Sequence, residues 1–531
     1  MSLIDTLARL EAVRAGRAQP AATVRHRHLS DRPLVFVPLT TAGEAGAPLG
    51  ALVGTDRGAP RLLAVPQPRD RDLRFAFLAE LADVVLPHID SCAGAVEAAE
   101  RTEADPETGK RVKVEVELCA DAPQLIVPSR AGIDFVRLLG RSMRFRRTAE
   151  QDPEAPYPAP PRVPLLGRWL THFGERARVP GSSLLLAMSD LLARHWATGQ
   201  SGLEDQHLGA LLAWIAPPPG LTGAEAALRA EVARDADGQL ACPPAGPATD
   251  PAFDNRLLAP AIERYDRART ALAAAQDGLE ADGRLAALTA AERDIRALVE
   301  RCALPTWDKV WEGLDLLRAL PEGAHVAERW TRDRWSFTAH RDRVLAGEPP
   351  QPRRDDAVTA AGKLAARERE QARLDAQEAL DDPLVMAGRR LAGEAFEGEV
   401  LDVVMAYSEG RRPSPRPLVT VRTEDRPHLA ERGRAYRSLA GKPQSAECVA
   451  VQEDGALIVL RVLDRMGRGK EPEAGSVPEK GDRLCFTLFE HEQRGGAKLP
   501  APEETPWTHG GPPEQDRPPE APDPVTEEDV L

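Results

Sequence analysis

Aromatic side chains and metal-binding cysteine patterns are scarce in this sequence. Phe, Trp and Tyr together make up 4% of the 531 residues. The six cysteines form no C-x-x-C pair and show no zinc-ligand spacing, which is typical of buried thiols in a reducing compartment. The sequence therefore predicts no metal site.

Long apolar runs are also missing. No stretch of about 18 apolar residues occurs, so the sequence predicts no membrane-spanning helix. The first residues, MSLIDTLARLEAV, carry acidic side chains within an amphipathic pattern, which favours a helix over a signal peptide. Together with the cysteine pattern, these features predict a cytoplasmic protein that does not contact a membrane.

The motifs of familiar nucleotide-binding and hydrolytic enzymes are absent. We find no G-x-x-x-x-G-K-[ST], no G-x-G-x-x-G after a strand, no G-x-S-x-G, no H-E-x-x-H and no kinase set. The sequence therefore predicts no catalytic residue and no cofactor. An unfamiliar enzyme stays open, because catalytic groups can come from distant positions; Asp70, Asp72 or Glu115 would then hold a metal.

Negative charge is concentrated near residue 531. The net charge is −14, but the last 32 residues carry nine acidic side chains and one basic one. The rest of the chain is only weakly acidic, so the overall charge does not exclude a local basic patch that binds nucleic acid.

Alternating strand and helix patterns predict an N-terminal α/β domain over residues 1–143. The expected strands are residues 33–39, 49–54, 61–65, 110–118 and 124–127, and the expected helices are residues 1–18, 72–86 and 131–143. Residues 144–164 are basic and then proline-rich, which predicts a linker.

Residues 165–350 are predicted to form a helical domain. Apolar residues recur every seven positions in two runs, which predicts an antiparallel hairpin that turns at Asp282–Gly283 and ends at Pro305. The seam residues are Leu258, Tyr265, Leu272, Leu279, Leu288, Ile295 and Cys302. Trp330 and Trp335 follow; they are candidate partner-binding residues, with core packing as the alternative.

A single charged helix, residues 351–395, is expected to lead into a small all-β unit at residues 396–490. Five short Val-, Leu- and Ile-rich runs bounded by turn residues favour a closed barrel. The expected strands are Phe396–Ala406, Leu418–Arg422, Glu447–Gln452, Leu457–Leu463 and Arg483–Phe489. The proline-rich, acidic residues 491–531 are predicted to be disordered.

Two connections of this predicted barrel are basic. Guanidinium groups match phosphate oxygens, and small barrels bind single strands through such loops, usually with aromatic platforms. The candidate nucleic-acid-binding residues are Arg411, Arg412 and Arg416 in one connection and Arg465, Arg468 and Lys470 in the other. Aromatic platforms are few, with Tyr407 and Tyr436 as the candidates.

The layout of residues 254–511 resembles the stalk-and-barrel region of superfamily-one nucleic-acid helicases. The likeness rests on a charged helical pair that leads to a small barrel, on the strand RPLVTV (Arg416–Val421), and on P-W-T-H-G-G (Pro506–Gly511). The motor's phosphate loop and acidic metal-holding strand are absent, so no catalytic residue carries over. The resemblance implies an accessory half that contacts nucleic acid or a motor partner.

We therefore predict a multidomain α+β protein with an α/β domain, a helical middle, a small β-barrel and a disordered acidic tail. The favoured function is that of a non-catalytic adaptor whose barrel contacts DNA, RNA, or a helicase or ATPase partner. Two alternatives stay open. One is a protein-interaction scaffold with no nucleic-acid role, and the other is the unfamiliar metal-dependent enzyme. The sequence leaves the oligomeric state open.

Overall fold

A computed structural model describes residues 3–104, 111–275, 279–355, 357–409, 413–467, 469 and 471–492. These residues form a mixed α+β fold with an N-terminal α/β region and a closed C-terminal β-barrel. The helices are α1 (Leu3–Ala15), α2 (Arg71–Ala93), α3 (Arg130–Met143), α4 (Val163–Arg176), α5 (Met188–His195), α6 (Leu208–Ile215), α7 (Gly223–Val232), α8 (Pro251–Phe253), α9 (Ala259–Ala273), α10 (Leu279–Arg318), α11 (Val326–Leu345), α12 (Ala357–Asp381) and α13 (Pro383–Leu391). The strands are β1 (Gln19–Pro20), β2 (Leu34–Thr40), β3 (Pro48–Gly54), β4 (Arg61–Ala64), β5 (Val96–Ala104), β6 (Arg111–Cys119), β7 (Leu125–Val127), β8 (Leu185–Ala187), β9 (Trp196–Ala197), β10 (Ala395–Val404), β11 (Leu418–Thr423), β12 (Arg434–Leu439), β13 (Lys442–Gln452), β14 (Leu457–Val462) and β15 (Arg483–Thr487).

A five-stranded sheet lies at the centre of the N-terminal region, in the order β4-β3-β2-β7-β8. β2 pairs in parallel with β7, and β7 pairs in parallel with β8, whereas β3 runs antiparallel to both β2 and β4. All seven residues of β2 are buried. A continuous apolar strand of this kind is expected where both faces of a sheet are covered.

Each face of this sheet carries a hydrophobic core that joins residues from both predicted domains. Phe36 on β2 faces a core that extends to Phe337 on α11. Val37, the next residue, faces a second core that extends to Trp307 on α10, since successive side chains of a strand point to opposite faces. Residues 1–143 and 165–350 therefore contribute to the same two cores. The predicted linker, residues 144–164, connects α3 to α4.

Strand β8 replaces part of a predicted helix. The apolar run from Leu184 was expected to lie on one helical face, but Leu186 pairs with Ile126 of β7, and α5 begins only at Met188. A short apolar run fits a buried strand and a buried helix equally well, so the neighbouring strand decides. β5 was also missed, because its Glu, Ala and Arg side chains have low strand propensity.

Helices α9 and α10 form the predicted hairpin, with two corrections. α9 ends at Ala273 and α10 begins at Leu279, so Asp282–Gly283 lies within α10 and does not form the turn. Pro305 does not end α10, which continues to Arg318. The turns that follow the proline bury Trp307 and Leu314 in the core, and this packing outweighs the local cost of an internal proline.

The predicted single charged helix is divided into α12 and α13, and the last turns of α12 are buried. Glu378 is 8% exposed and accepts two hydrogen bonds from Arg194 (2.9 and 3.0 Å) and one from Arg27 (3.3 Å). Burial raises the pKa of Glu378, but Arg194 and Arg27 outweigh this effect and lower it overall. α12 is therefore fixed to the body of the protein through a compensated buried charge.

The predicted C-terminal barrel is confirmed, but with six strands instead of five. The strand order around the closed barrel is β10-β11-β14-β13-β12-β15. Its core consists of barrel residues alone, among them Phe396, Val421 and Phe486. β12 was missed, because its RAYRSL sequence contains no Val- or Ile-rich run and has two arginines and a serine. Residues 493–531, most of the predicted disordered tail, lie outside the described residues.

Among the described helices, none combines the length and apolar character needed to cross a bilayer. The longest, α10, carries charged side chains along its length.

The shared cores predict how fragments of the chain will fold. Residues 1–164 keep α2 and α3 on one face of the sheet but lack β8, most of α4, α10 and α11, so one core is incomplete and the other loses its helices. This fragment should show no cooperative thermal transition by circular dichroism. Residues 393–492 contain the whole barrel core, and this fragment should unfold cooperatively. A cooperative transition in the 1–164 fragment would contradict the shared-core architecture.

Buried histidines predict a loss of stability in mild acid. Burial lowers the pKa of His195 to about 4 and that of His340 to about 3, whereas an unfolded histidine titrates near about 6.5. Between these values the unfolded chain binds more protons than the folded chain, so the free energy of unfolding falls as the pH decreases from about 6.5 to 4. Urea titrations across this range measure the effect.

The substitution His340→Phe separates the contribution of the His340 ring to this pH dependence of stability. His340 stacks on His172 with ring centroids 4.2 Å apart, and its Nε2 has no hydrogen-bond partner among the described residues. His340→Phe should therefore preserve the packing and flatten the pH dependence. If the free energy of unfolding of His340→Phe depended on pH as that of the unmodified chain does, His340 would not contribute to the loss of stability in acid.

Candidate nucleic-acid interface at the outer rim of the barrel

Three strand ends meet at the end of the barrel that is remote from α13. β10 ends at Val404, which pairs with Leu418 at the start of β11. Leu418 also pairs with Arg461, near the end of β14. Segments 405–417 and 463–482 therefore leave the barrel at the same end, which we call the outer rim.

Ion pairs fix the opposite end of the barrel to α13. Arg390 donates to Asp425 at 2.7 Å and to Glu397 at 2.8 Å. The hydrogen bond to Asp425 raises the pKa of Arg390. Val404 lies seven residues beyond Glu397 on β10, so at ~3.3 Å per residue the outer rim lies at most about 23 Å from this junction. The rim is thus held away from α13 by a short, braced barrel.

The first basic segment continues the β10–β11 ladder beyond the barrel wall. The backbone amide of Arg416 donates to Ala406 at 2.7 Å, and that of Ser408 donates to Ser414 at 2.8 Å. The hydroxyls of Ser408 and Ser414 lie 3.0 Å apart. Arg416 is half-buried, and its Nη1 donates to the carbonyl of Pro415 at 2.8 Å. The described part of the segment is therefore an ordered hairpin stem.

The second basic segment is bound to β13 where it begins. Asp464 accepts from the backbone amide of Ser445 at 2.9 Å and from its hydroxyl at 2.8 Å. The Nε of Arg465 donates to the carbonyl of Pro443 at 2.5 Å. This guanidinium group therefore braces the rim, and only its remaining N–H groups are available to a ligand.

A buried arginine fixes the second segment further along. Arg437 is 7% exposed, and its Nε donates to Gln444 at 2.6 Å while its Nη2 donates to the carbonyl of Ser476 at 3.0 Å. Gln444 donates to the same carbonyl at 2.8 Å. Burial lowers the pKa of Arg437. Because β12 was not recognised as a strand, no sequence pattern indicated that Arg437 would be buried.

Apolar side chains and acids accompany the arginines at the outer rim. Tyr407 is 49% exposed, beside Met405 at 42% and Val404 at 53%, so one aromatic platform is available for stacking. The other candidate, Tyr436, is half-buried and donates to Glu490 at 3.1 Å. The acids Glu409, Asp464 and Glu473 also lie on the two segments. The rim is therefore a mixed surface, and not a uniformly basic one.

The structure thus brings together the two described candidates of the predicted set. Arg416 and Arg465 lie on segments that leave the same rim. Arg411, Arg412, Arg468 and Lys470 lie outside the described residues. The described residues on either side of them, such as Glu409, Pro413 and Gly467, belong to the same two segments, so the predicted loops share one end of the barrel.

The two candidate partner-binding tryptophans differ in exposure. Trp330 is 8% exposed, donates to Asp121 at 3.1 Å and stacks on His28 with ring centroids 4.1 Å apart. Its ring is used within the fold, as the core-packing alternative expects. Trp335 is half-buried on the same helix and keeps part of its ring at the surface.

The acids considered for a metal site are dispersed. Asp70 is the N-cap of α2 and pairs with Arg269 at 2.5 Å. Asp72 pairs with its neighbour Arg71 at 3.2 Å. Glu115 lies on β6. In the part of the chain that the structure describes, no group of three or more His, Cys, Asp and Glu side chains has a metal-binding arrangement.

Comparisons of the chain with protein-family models, curated proteins and solved structures find no match. The functional argument therefore depends on the geometry of the outer rim and on the physical chemistry of its residues.

Arg437 offers a test of how the rim is held. Arg437→Leu removes the donor to Gln444 and Ser476 and should lower the free energy of unfolding of the barrel fragment by about 1–3 kcal/mol. Residues 463–482 should also become more sensitive to protease. Arg434→Leu, at an exposed position of the same strand, is the matched control. Equal effects of the two substitutions would contradict the bracing role.

Proposed function

We propose that this chain is a non-catalytic accessory protein whose barrel contacts nucleic acid through the outer rim. The observation that carries the proposal is the shared origin of segments 405–417 and 463–482 at one end of a closed barrel, with the described candidates Arg416 and Arg465 on them. Closure removes exposed strand edges, so the segments and their side chains remain as the contact surface.

The chemistry of the rim fits a phosphate backbone better than a particular base sequence. Arginine presents planar N–H donors that match phosphate oxygens, and Tyr407 offers a ring on which a base can stack. The acids of the rim limit the area over which positive charge is continuous. A single strand, which can bend around these acids, therefore suits the surface better than a duplex.

The partner class in this proposal comes from the helicase resemblance. The resemblance was based on charged helices that lead into a small barrel, and α12 and α13 lead into this barrel in the same way. The hydrogen bonds of Arg390 hold the barrel against α13. The proposed protein acts in the cytoplasm beside a helicase or ATPase that supplies the motor activity.

Charge reversal at the rim tests the nucleic-acid contact. Arg411→Glu/Arg412→Glu should weaken binding of the full chain to single-stranded DNA or RNA by at least about tenfold, measured by fluorescence anisotropy, because each reversal replaces phosphate attraction with repulsion. Binding by the unmodified chain should weaken steeply with added salt.

The matched control lies at the opposite end of the barrel. Arg422→Glu/Arg426→Glu makes the same change in net charge at two exposed positions near the end of β11. This variant should bind as the unmodified chain does. Equal losses in both variants, or no binding by the unmodified chain at low salt, would contradict the proposal.

A second candidate function, a protein-interaction scaffold, is favoured by α1. The heptad seam first considered for this role is used inside the fold, where Leu258 and Ile295 are 1% and 0% exposed. By contrast, Leu3, Leu7 and Leu10 form one face of α1 and are 59%, 53% and 59% exposed, a clustering that often marks an interaction site.

Light scattering tests the scaffold candidate. The unmodified chain should then form assemblies larger than its 57.6 kDa mass, and Leu7→Lys/Leu10→Lys should release the monomer. A monodisperse unmodified monomer with intact nucleic-acid binding would remove this candidate and leave the first.

A further inference from the structure

A cavity of about 410 Å³ opens on the body of the protein, away from the barrel. Its walls are the end of α4 with the loop that follows it, the middle of α11 and the first half of α12. The volume lies in the range of about 300–1,000 Å³ that is typical of small-molecule sites. The cavity is thus large enough for a metabolite-sized ligand and too small for a folded partner.

The lining of the cavity is rich in cations. Five basic side chains contribute to it, against three acidic ones. The basic residues are Arg176, Arg329, Arg332, Lys363 and Arg367, and the acidic residues are Glu175, Asp333 and Glu370. Each of the five cations has a carboxylate partner within 4.0 Å, so the lining offers an anionic ligand N–H donors that these ion pairs leave over, and not a net positive charge.

One wall of the cavity is fixed by a buried carboxylate. Asp333 is 1% exposed and accepts from the Ser182 hydroxyl at 2.7 Å, the Ser183 amide at 2.6 Å and Arg176 at 2.8 Å. These bonds satisfy the carboxylate and hold the loop after α4 against α11. Asp333 therefore positions the wall and does not compete for a ligand.

Three cations on α11 and α12 have spare donors. Arg367 donates to Glu175 at 3.2 Å through Nη2, and Arg332 donates to Glu370 at 2.6 Å through Nη1. A guanidinium group has five N–H donors, and these are the ion pairs that the described residues provide for each of the two groups. Lys363 pairs with Asp355 at 2.5 Å and keeps further ammonium protons.

Burial disfavours the charged state of two of these arginines, although both have carboxylate partners. Desolvation lowers the pKa of Arg329 and also that of Arg332. Arg329 is 3% exposed, and its Nε has no hydrogen-bond partner among the described residues. An anion in the cavity would offset this desolvation, because charge-assisted hydrogen bonds to a guanidinium group are the strong ones.

The remaining lining is apolar. Val179 and Pro180 from the loop and Ala366 from α12 contribute side chains with no hydrogen-bonding groups. A lining of apolar side chains with a few converging polar groups is the usual composition of a ligand site. The cations would orient the charged part of a ligand, and these residues would cover its uncharged body.

We propose that this cavity binds a small organic phosphate, with the phosphate at Arg332, Lys363 and Arg367 and the planar or apolar body against Val179, Pro180 and Ala366. The cavity shares no residue with the outer rim, so ligand binding here is tested independently of the proposed nucleic-acid contact. No bond is made or broken in this proposal; the cavity is a binding site.

Isothermal titration of the full chain at low ionic strength tests the site, with ADP, adenosine and inorganic phosphate as probes. ADP should bind saturably and more tightly than either of the other two, because only ADP carries both the anionic group and the planar body. Lys363→Glu should weaken ADP binding by at least about tenfold. Lys113→Glu makes the same change of charge at an exposed lysine of β6 that also pairs with a carboxylate, Glu100, and it should leave ADP binding unchanged.

A second variant tests the cavity without altering charge. Ala366→Trp places a large ring in the space between the walls and should abolish ADP binding, while thermal unfolding shows whether the fold is retained. Failure of ADP to bind saturably at millimolar concentration would overturn the proposal. Equal weakening by Lys363→Glu and Lys113→Glu, or full binding by folded Ala366→Trp, would also overturn it.

Discussion

The structure depends most on the burial of β2 (Leu34–Thr40) on both of its faces. Each fully buried Val, Leu or Phe contributes ~1.5–3 kcal/mol, and the alternating side chains of β2 supply such residues to two cores at once. Side chains of α3 and α4 contribute to the core on one face of β2, and side chains of α10 contribute to the core on the other face. This constraint joins distant parts of the chain into one body, on which α12 and then the barrel are seated.

Ion pairs, more than apolar contacts, connect this body to the barrel that carries the outer rim. Glu378 anchors the end of α12 between two arginines, and Arg390 joins α13 to the barrel through two acids. Ion pairs of this kind fix geometry while adding little net stability. The barrel supplies its own hydrophobic core, so its rim keeps its shape without help from the body.

Sequence patterns predicted the elements whose local preferences agree with their surroundings. The Val-rich strands β2, β11 and β14 and the helices α2 and α3 lie close to their expected positions, and the fold class is confirmed. β8 and β12 were missed, because only a neighbouring strand distinguishes their short segments from helix or loop. The sequence also could not predict that segments 405–417 and 463–482 lie close together, since this follows from the order in which the strands close the barrel. Likewise, no pattern revealed that Arg437 would be buried.

The central claim, that the outer rim is the surface that contacts nucleic acid, is tested most directly by amide hydrogen exchange with and without single-stranded DNA. The account predicts slower exchange in segments 405–417 and 463–482 and little change at Glu453–Gly455, the turn at the opposite end of the barrel. Protection confined to the body or to that turn, with the rim unchanged, would contradict it.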